Sequence, residues 1–505
     1  MTEDPLGWLL FVSPFLGMAA CLFGRRMRGV LVPALLAVLA EVVVGGVMVG
    51  RVLTKGPVTW GATWFHLDAL SAWHLAILLL VYLLSTLYCF TYYGHGHGTA
   101  LSLAQTRRFG LLWLGALSSM VLVLVSNNLG IMWAGVEATT LVTAFLICLP
   151  ATEQSLEAMW KYLVICSVGV AFAFLGTLLV AASTPHGLQE SGEFLLWTWL
   201  RDTAPTLDPG FLKAGFLFLL VGYGTKAGLA PCHSWLPDAH SQAPSPVSAV
   251  FSGFLLNTSL YCLLRFVPIL EAASRHHTAL PPGWCRELLV VAGLISLLVA
   301  AAFIVFQHDV KRLLAYCSVE HMGIIVLGVG LGGWGTFAAL FHLLNHSVAK
   351  TLSFFAAGRL GQMHGTHDLR RMGGLLRSSP VWGNALFWSL LALIGAAPFS
   401  LFLSELQILM AAADRRAWWP LALFLAGSAV VFVGVLRFAI MLAWGKREDA
   451  SGGPESEPEP EKAGKLDRCL VWGCLAFLLF LGLYLTAPLS SFLRQAAAVL
   501  EGGTR

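Results

Sequence analysis

The chain has 505 residues, of which 57% are hydrophobic and only 11% charged, about half the charge of a soluble domain. Its formal net charge of +4 is small and spread along the chain, which excludes a nucleic-acid-binding surface. Apolar runs of roughly 18–25 residues recur at the length that crosses a bilayer's hydrocarbon core, so the sequence describes an all-α polytopic membrane protein.

The opening stretch MTEDPLGWLLFVSPFLGMAACLFGRRMRG is acidic before its apolar run and basic after it. That is the reverse of a cleavable signal peptide, so it reads as a retained first span. Hydropathy predicts about 14 transmembrane helices in all. They begin near residues 6, 29, 69, 108, 128, 157, 210, 246, 287, 313, 335, 381, 418 and 469. Two polar segments interrupt them. TPHGLQESGEFLLWTWLRDTAPTLDPG reads as a loop with a short amphipathic piece, and GKREDASGGPESEPEPEKAGKLDR as a flexible, solvated linker. The ten cysteines are scattered without a C-x-x-C pair, so no iron–sulfur, zinc or disulfide framework is expected.

Basic residues fall mainly in alternate loops: Arg25, Arg26 and Arg28; Arg107 and Arg108; Lys311 and Arg312; Arg370, Arg371 and Arg377; Lys446, Arg447, Lys465 and Arg468. The positive-inside rule makes these loops cytoplasmic and puts both termini on the outer face of a bacterial or archaeal inner membrane. Asp309, Lys311 and Arg312 read as an exposed, orienting cluster in one such loop.

Two spans are broken. GYGTKAGLAPCHSWLPDAHSQAPSP places glycines, prolines and Lys226 within a spanning segment, and LLALIGAAPFSLFLSELQIL carries Gly395, Pro398 and then Glu405. Proline interruptions at corresponding places in two halves point to an inverted-repeat transporter with its sites at the breaks. Broken backbone at membrane depth must face protein or a water-filled cavity. The expected organisation is therefore N-terminal helices over 1–106, a first repeat over 107–270 broken near 222–236, and a second over 271–445 broken near 394–401. The linker at 446–468 and a final helix and tail at 469–505 complete it.

An ionisable group at mid-membrane costs roughly 2.5–3.5 kcal/mol, and this chain carries several. Glu137, Lys226, His321, His346, Lys350 and Glu405 are candidates for proton translocation, and His342, His346 and Lys350 share one helix face at i, i+4 and i+8. Lys161, His233, Asn257, Glu320 and His342 are further candidates, with Lys161 close enough to a span end to reach the interface. Glu41 is mid-span without an evident partner. Two histidines at i and i+4 can share a zinc ion, but Lys350 on the same face makes a metal unfavourable and favours proton transfer. A lysine–glutamate contact is worth about 4 kcal/mol at ~4 Å and about 1.7 at ~10 Å. Moving one charge through ~150 mV takes roughly 3.5 kcal/mol. One switchable pair falls short of that; two or three coupled pairs suffice.

The stretches GTKAGLAPCHSWLPDAHSQAPSPVSA, WAGVEATTL, DVKRLLAYCSVEHMGI and LFHLLNHSVAKTLSFFAAG resemble the antiporter-like membrane subunits of respiratory complex I, multi-subunit cation/proton antiporters and membrane-bound nickel–iron hydrogenases. GVEATTL, SVEHMGI and FSLFLSELQIL are most similar to the F-type subunit of hydrogenase-4 and formate hydrogenlyase complexes. The resemblance runs from the third span through the thirteenth. It implies a 14-helix fold with two inverted five-helix repeats, each with a broken helix. It also implies a Glu137–Lys226 pair, relay roles for His321, His346 and Lys350, and a terminal role for Glu405. Relatives often carry a lysine where this chain has Asn257, and an amide cannot take up a proton.

The expected role is a proton- or sodium-translocating subunit of an energy-converting oxidoreductase complex. Its partners would be other membrane subunits and a peripheral hydrogenase-like or dehydrogenase-like arm, with no cofactor in this chain. A redox-independent cation/proton antiporter subunit is the alternative, and a non-conducting scaffold the third reading.

Overall fold

The computed structural model describes residues 4–94, 101–185, 192–446 and 463–503. Helices α1 (Pro5–Cys21), α2 (Met27–Lys55), α3 (Ala69–Gly94), α4 (Leu103–Val125), α5 (Leu129–Ile147) and α6 (Glu153–Ala182) form the N-terminal part. The first broken span is α7 (Pro209–Ala227) with α8 (Trp235–Gln242), and it is followed by α9 (Ser245–Ser274). Then come α10 (Trp284–Ile304), α11 (Val310–Leu331) and α12 (Trp334–His364). The second broken span is α13 (Pro380–Leu393) with α14 (Ser400–Asp414), before α15 (Trp418–Trp444), α16 (Lys465–Leu483) and α17 (Ala487–Leu500). Ten of the described helices are long and apolar enough to cross a membrane, and α1 and α13 are shorter apolar helices.

Local chemistry explains where these helices start. Asp4, Asn128, Asp208 and Asp309 each accept a hydrogen bond from a first-turn amide, and Ser102 and Thr152 do so reciprocally with Gln105 and Ser155. These side chains satisfy amides that a helix leaves open. Glycines then let helices meet closely. A methyl at Gly222 of α7 would lie 2.4 Å from the Ala173 amide of α6, and one at Gly293 of α10 would lie 2.6 Å from the Gly323 carbonyl of α11. Close backbone approach supplies packing that the hydrophobic effect cannot provide between helices in lipid.

The two breaks are built alike. Gly228 and Gly395 take left-handed φ of 78° and 67°, and each is followed by a residue, then a cis Ala–Pro bond at 230–231 and at 397–398. In both, the glycine amide bonds back three residues and the next amide five, Leu229 to Gly224 and Ala396 to Leu391. This helix-ending pattern needs glycine at the left-handed position.

Burial sorts the helices by depth. The most apolar window of α9 is 100% buried and that of α11 94%, against 39% in α2 and α15. Leu16, Val43 and Val433 turn outward, and Trp418, Trp419 and Trp444 are exposed at the ends of α15, as aromatic residues at a membrane interface are. Polar groups on α9, α11 and α12 are thus surrounded by protein.

Three expectations change. A small hairpin, β1 (Val58–Trp60) with β2 (Phe65–Leu67), stands between α2 and α3 in the register Val58–Leu67 and Trp60–Phe65; three-residue strands are too short for hydropathy to find. The last spanning helix begins at Lys465 rather than 469, and the tail after it folds as α17. Its C-cap residue Glu501 bonds Arg286 at 3.0 Å and accepts from the Gly333 amide at 2.9 Å. Most of the linker, and residues 186–191 of the earlier loop, lie outside the described residues; the rest of that loop holds a short helix at Trp197–Asp202.

Candidate proton pathway

Lys226 is fully buried in the last turn of α7, where the helix's negative end favours a cation. Its Nζ donates to the Val136 carbonyl of α5 at 2.9 Å and to the Thr140 hydroxyl. Glu137 is one residue along α5, yet its carboxylate faces α6 and accepts from Ser167 at 2.9 Å. The two groups form no ion pair within 4 Å. The expected pair is not in contact, although Glu137 lies within electrostatic range of Lys226, and Glu137 Oε2 is buried and without a hydrogen bond.

From Lys226 the polar row crosses α9. Residues 251–255 of this helix are π-helical, a local widening common at functional sites. A methyl at Gly253 would lie 2.7 Å from Thr351 of α12. One turn on, Asn257 donates to Ser347 of α12 at 3.1 Å, while its own carbonyl oxygen is buried and unpartnered. Ser252 and Ser318 join α9 to α11 at 2.7 Å. Asn257 is thus a bridge between helices at the position where a proton carrier was sought.

Beyond it, Lys350 of α12 donates to the Leu314 carbonyl of α11 at 2.6 Å. Glu320 lies within its electrostatic range, with one carboxylate oxygen unpartnered. His321 Nδ1 and His342 Nε2 face each other at 2.9 Å, and the His346 ring is 5.0 Å from that of His321. His342 Nδ1 reaches Ser404 on α14 at 2.8 Å. Glu405 follows, its carboxylate beside Gly395 in the second break. The histidine pair in contact is the inter-helical one, His321–His342, rather than the i, i+4 pair of α12. Donor atoms of His321, His342 and Glu405 all lie within 4.8 Å of one another, a third donor that spacing within one helix does not reveal.

Two candidates fall outside this row. Lys161 is exposed and pairs with Glu157 at 2.6 Å and Asp238 at 3.0 Å. His233 lies in the first break against Phe303 and Tyr316. Glu41 does have a partner, the Ser13 hydroxyl at 2.7 Å.

The cluster expected to be exposed at 309–312 is corrected. Lys311 is 3% exposed and donates to the Ser241 and Ala243 carbonyls at 3.0 and 2.6 Å, while Arg312 pairs with Asp238. Lys311 lines a cavity of about 730 Å³ together with Ser241, Gln242, Asp309, His308 and His367. Burial raises the pKa of Asp309 against the amide hydrogen bonds it accepts from Arg312 and Lys311. Burial, and secondarily Lys311, pushes that of His367 down to about 3.

Next in sequence to the cavity-lining Ser241, His240 of α8 is fully buried, stacked on Phe354 at 5.3 Å and without a hydrogen bond on either ring nitrogen. Both lysines act on it electrostatically. Lys311 and His240 escaped sequence reasoning because a lysine two residues into a basic loop and a histidine beside prolines look solvated; only packing of α8 on α11 and α12 buries them.

A family model described as NADH:quinone oxidoreductase/Mrp antiporter, TM, matches residues 126–431. The hydrogenase-4 component F homolog of Methylacidiphilum infernorum is 42% identical over 337 residues, 66% of this chain and 69% of that protein. A Na(+)/H(+) antiporter component from Alkalihalophilus pseudofirmus is 27% identical over 331 residues, 65% of this chain and 63% of that protein. One protein in the solved structure of the membrane-bound sulfane sulfur reductase, an archaeal respiratory membrane complex, shares the fold. Its TM-score is 0.83 at 23% identity, over 98% of this chain and 96% of that one.

Proposed function

This chain belongs to the NADH:quinone oxidoreductase/Mrp antiporter transmembrane family, and from that premise we propose that it is the proton-translocating membrane subunit of a hydrogenase-type oxidoreductase complex. The observation that carries the reading is the row of ionisable groups joining the two helix breaks, buried from Lys226 to His342 and half-buried at Glu137 and Glu405. Glu137 and Lys226 stand at one end, Lys350 and Glu320 in the middle, and His346, His321, His342 and Glu405 at the other. Such groups are costly inside a membrane and mark ion paths.

In this reading the cavity at Lys311 admits protons, His240 hands them to Lys350, and the histidines pass them on to Glu405. The Lys226–Glu137 pair closes and opens, coupling this movement to charge changes in partner subunits. Asn257 carries no proton itself, so the step between Lys226 and Lys350 runs through water ordered by Asn257, Ser347 and the serines of α9 and α11. Redox chemistry belongs to a peripheral arm, and this chain holds no resident cofactor. In this reading both termini lie on the outer face, the orientation that the alternation of basic loops favours. The higher identity to a hydrogenase-4 component than to an antiporter component favours the redox-coupled setting over simple antiport.

The test is proton translocation by the complex in sealed vesicles with Lys226→Ala and Glu405→Ala. A loss on the order of 10²-fold, the usual weight of a positioned proton-transfer group, is expected with the complex assembled. Unchanged translocation in assembled variants would leave only a scaffold role.

A further inference from the structure

We propose that His321, His342 and Glu405 form a binding site for a divalent transition-metal ion of the zinc class, which ties α11, α12 and α14 together and blocks the path. Binding follows from the donor set alone; the block rests on the translocating role proposed above.

The three donors come from three helices, and their ligand atoms lie within 4.8 Å of one another. Two imidazoles and a carboxylate are the donor set that borderline metals such as zinc take. His321 Nδ1 and His342 Nε2 converge at 2.9 Å, a few tenths of an ångström inside the ~3.3 Å between two ligands of a tetrahedral zinc ion, so the rings part slightly to admit it. The geometry behind the donors is also in place. His342 Nδ1 is held by the Ser404 hydroxyl at 2.8 Å, which leaves Nε2 as the inward lone pair, the arrangement in which an outer hydrogen bond fixes a ligating histidine.

His321 Nε2 is buried and unpartnered, and the Leu393 carbonyl at the end of α13 lies close to the ring. Moving the His321 proton from Nδ1 to Nε2 therefore frees Nδ1 for the ion and gives the proton an acceptor nearby. Glu405 has no ion pair within 4 Å among the described residues, and Glu320 adds a second carboxylate within electrostatic range. His346, fully buried with both ring nitrogens unpartnered, stands 5.0 Å ring to ring from His321 as a further donor. The opposing cation is Lys350, two turns along α12 from His342 and engaged with the Leu314 carbonyl.

The experiment uses the complex isolated from native membranes, stripped with chelator and titrated with zinc chloride. Bound zinc is counted by mass spectrometry after gel filtration, and its ligands are read by X-ray absorption. The wild type is expected to hold one zinc ion per copy of this chain more than His342→Ala and Glu405→Gln do, with histidine nitrogen in the ligand shell. Ser404→Ala keeps all three donors and should weaken binding about 10–100-fold, which separates lost ligation from lost folding should the first two variants not assemble. Equal zinc in the wild type and all three variants, or none in the wild type, overturns the site. Zinc bound here without inhibition of proton movement overturns the block. Absence of proton movement in metal-free wild type overturns the functional reading instead, while the zinc count still judges the site.

Discussion

At the scale of single residues, some polar groups in low-dielectric surroundings keep one hydrogen-bonded atom and leave another open. Asn257 and Glu137 follow that pattern, each with one hydrogen-bonded atom and one buried oxygen left open, and in the proposed pathway these open atoms would receive water or a proton. His367 is a buried ring outside the membrane. Its ring packs where a methyl on Gly361 would lie 2.3 Å from Nε2, and its carbonyl accepts from the Val310 amide at 3.0 Å. With its pKa pushed down from 6.5 to about 3 by burial, the packed ring stays neutral while a released one takes up a proton. The stabilisation of the 365–374 loop is therefore fully present above pH 6.5 and is lost progressively as the pH falls toward 3. At pH 5 the expected loss is on the order of 1–2 kcal/mol. Hydrogen exchange at the Val310 and Leu369 amides, corrected for intrinsic rates, should be faster at pH 5 than at pH 7, and His367→Gln should flatten the difference.

At the scale of elements, the two broken helices share the motif G-x-A-P at 228–231 and 395–398 and the same reversed amide bonds. Put in that register, Lys226 corresponds to Leu393 and Glu405 to Asp238. The two breaks share their backbone architecture and a carboxylate ten residues on, while the lysine of the first has an apolar counterpart in the second. The second break also seats Glu405: a methyl on Gly395 would lie 2.4 Å from its Oε2, at a φ of 67°. Gly395→Ala should cost roughly 1–2 kcal/mol of stability from the left-handed backbone, and it should cut proton translocation by moving the carboxylate away from the histidines. Gly374→Ala is the control. It carries the same strain at φ 62°, its methyl meeting only the Gly445 carbonyl at 3.8 Å, and should leave translocation unchanged at similar loss of stability.

For the whole molecule, the arrangement is a buried polar axis inside an apolar jacket. The inner helices α9, α11 and α12 are covered by others, and the outer ones show lipid-compatible faces. Driving ions along such an axis in the proposed setting falls to redox chemistry in partner proteins. Isolation of the native complex in mild detergent, with mass spectrometry and metal analysis, should recover hydrogenase-like subunits with nickel and iron. Recovery of small membrane subunits alone, without metal, would place the chain in an antiporter complex instead.

Membrane class, the two breaks and most helix starts were legible in the sequence, because hydrophobic length, glycine–proline punctuation and capping residues act over a few neighbours. The candidate residues were legible too, since a charge within an apolar run stands out by its insertion cost. What distance along the chain could not reveal was which of them meet. His321 faces His342 from another helix, Glu405 joins them from a third, and Glu137 turns away from Lys226 toward Ser167. Nor could it show that Lys311 and His240 are buried. Those outcomes depend on how α8, α11, α12 and α14 pack, and packing is set by close glycine contacts and shape across the whole bundle rather than by any local pattern.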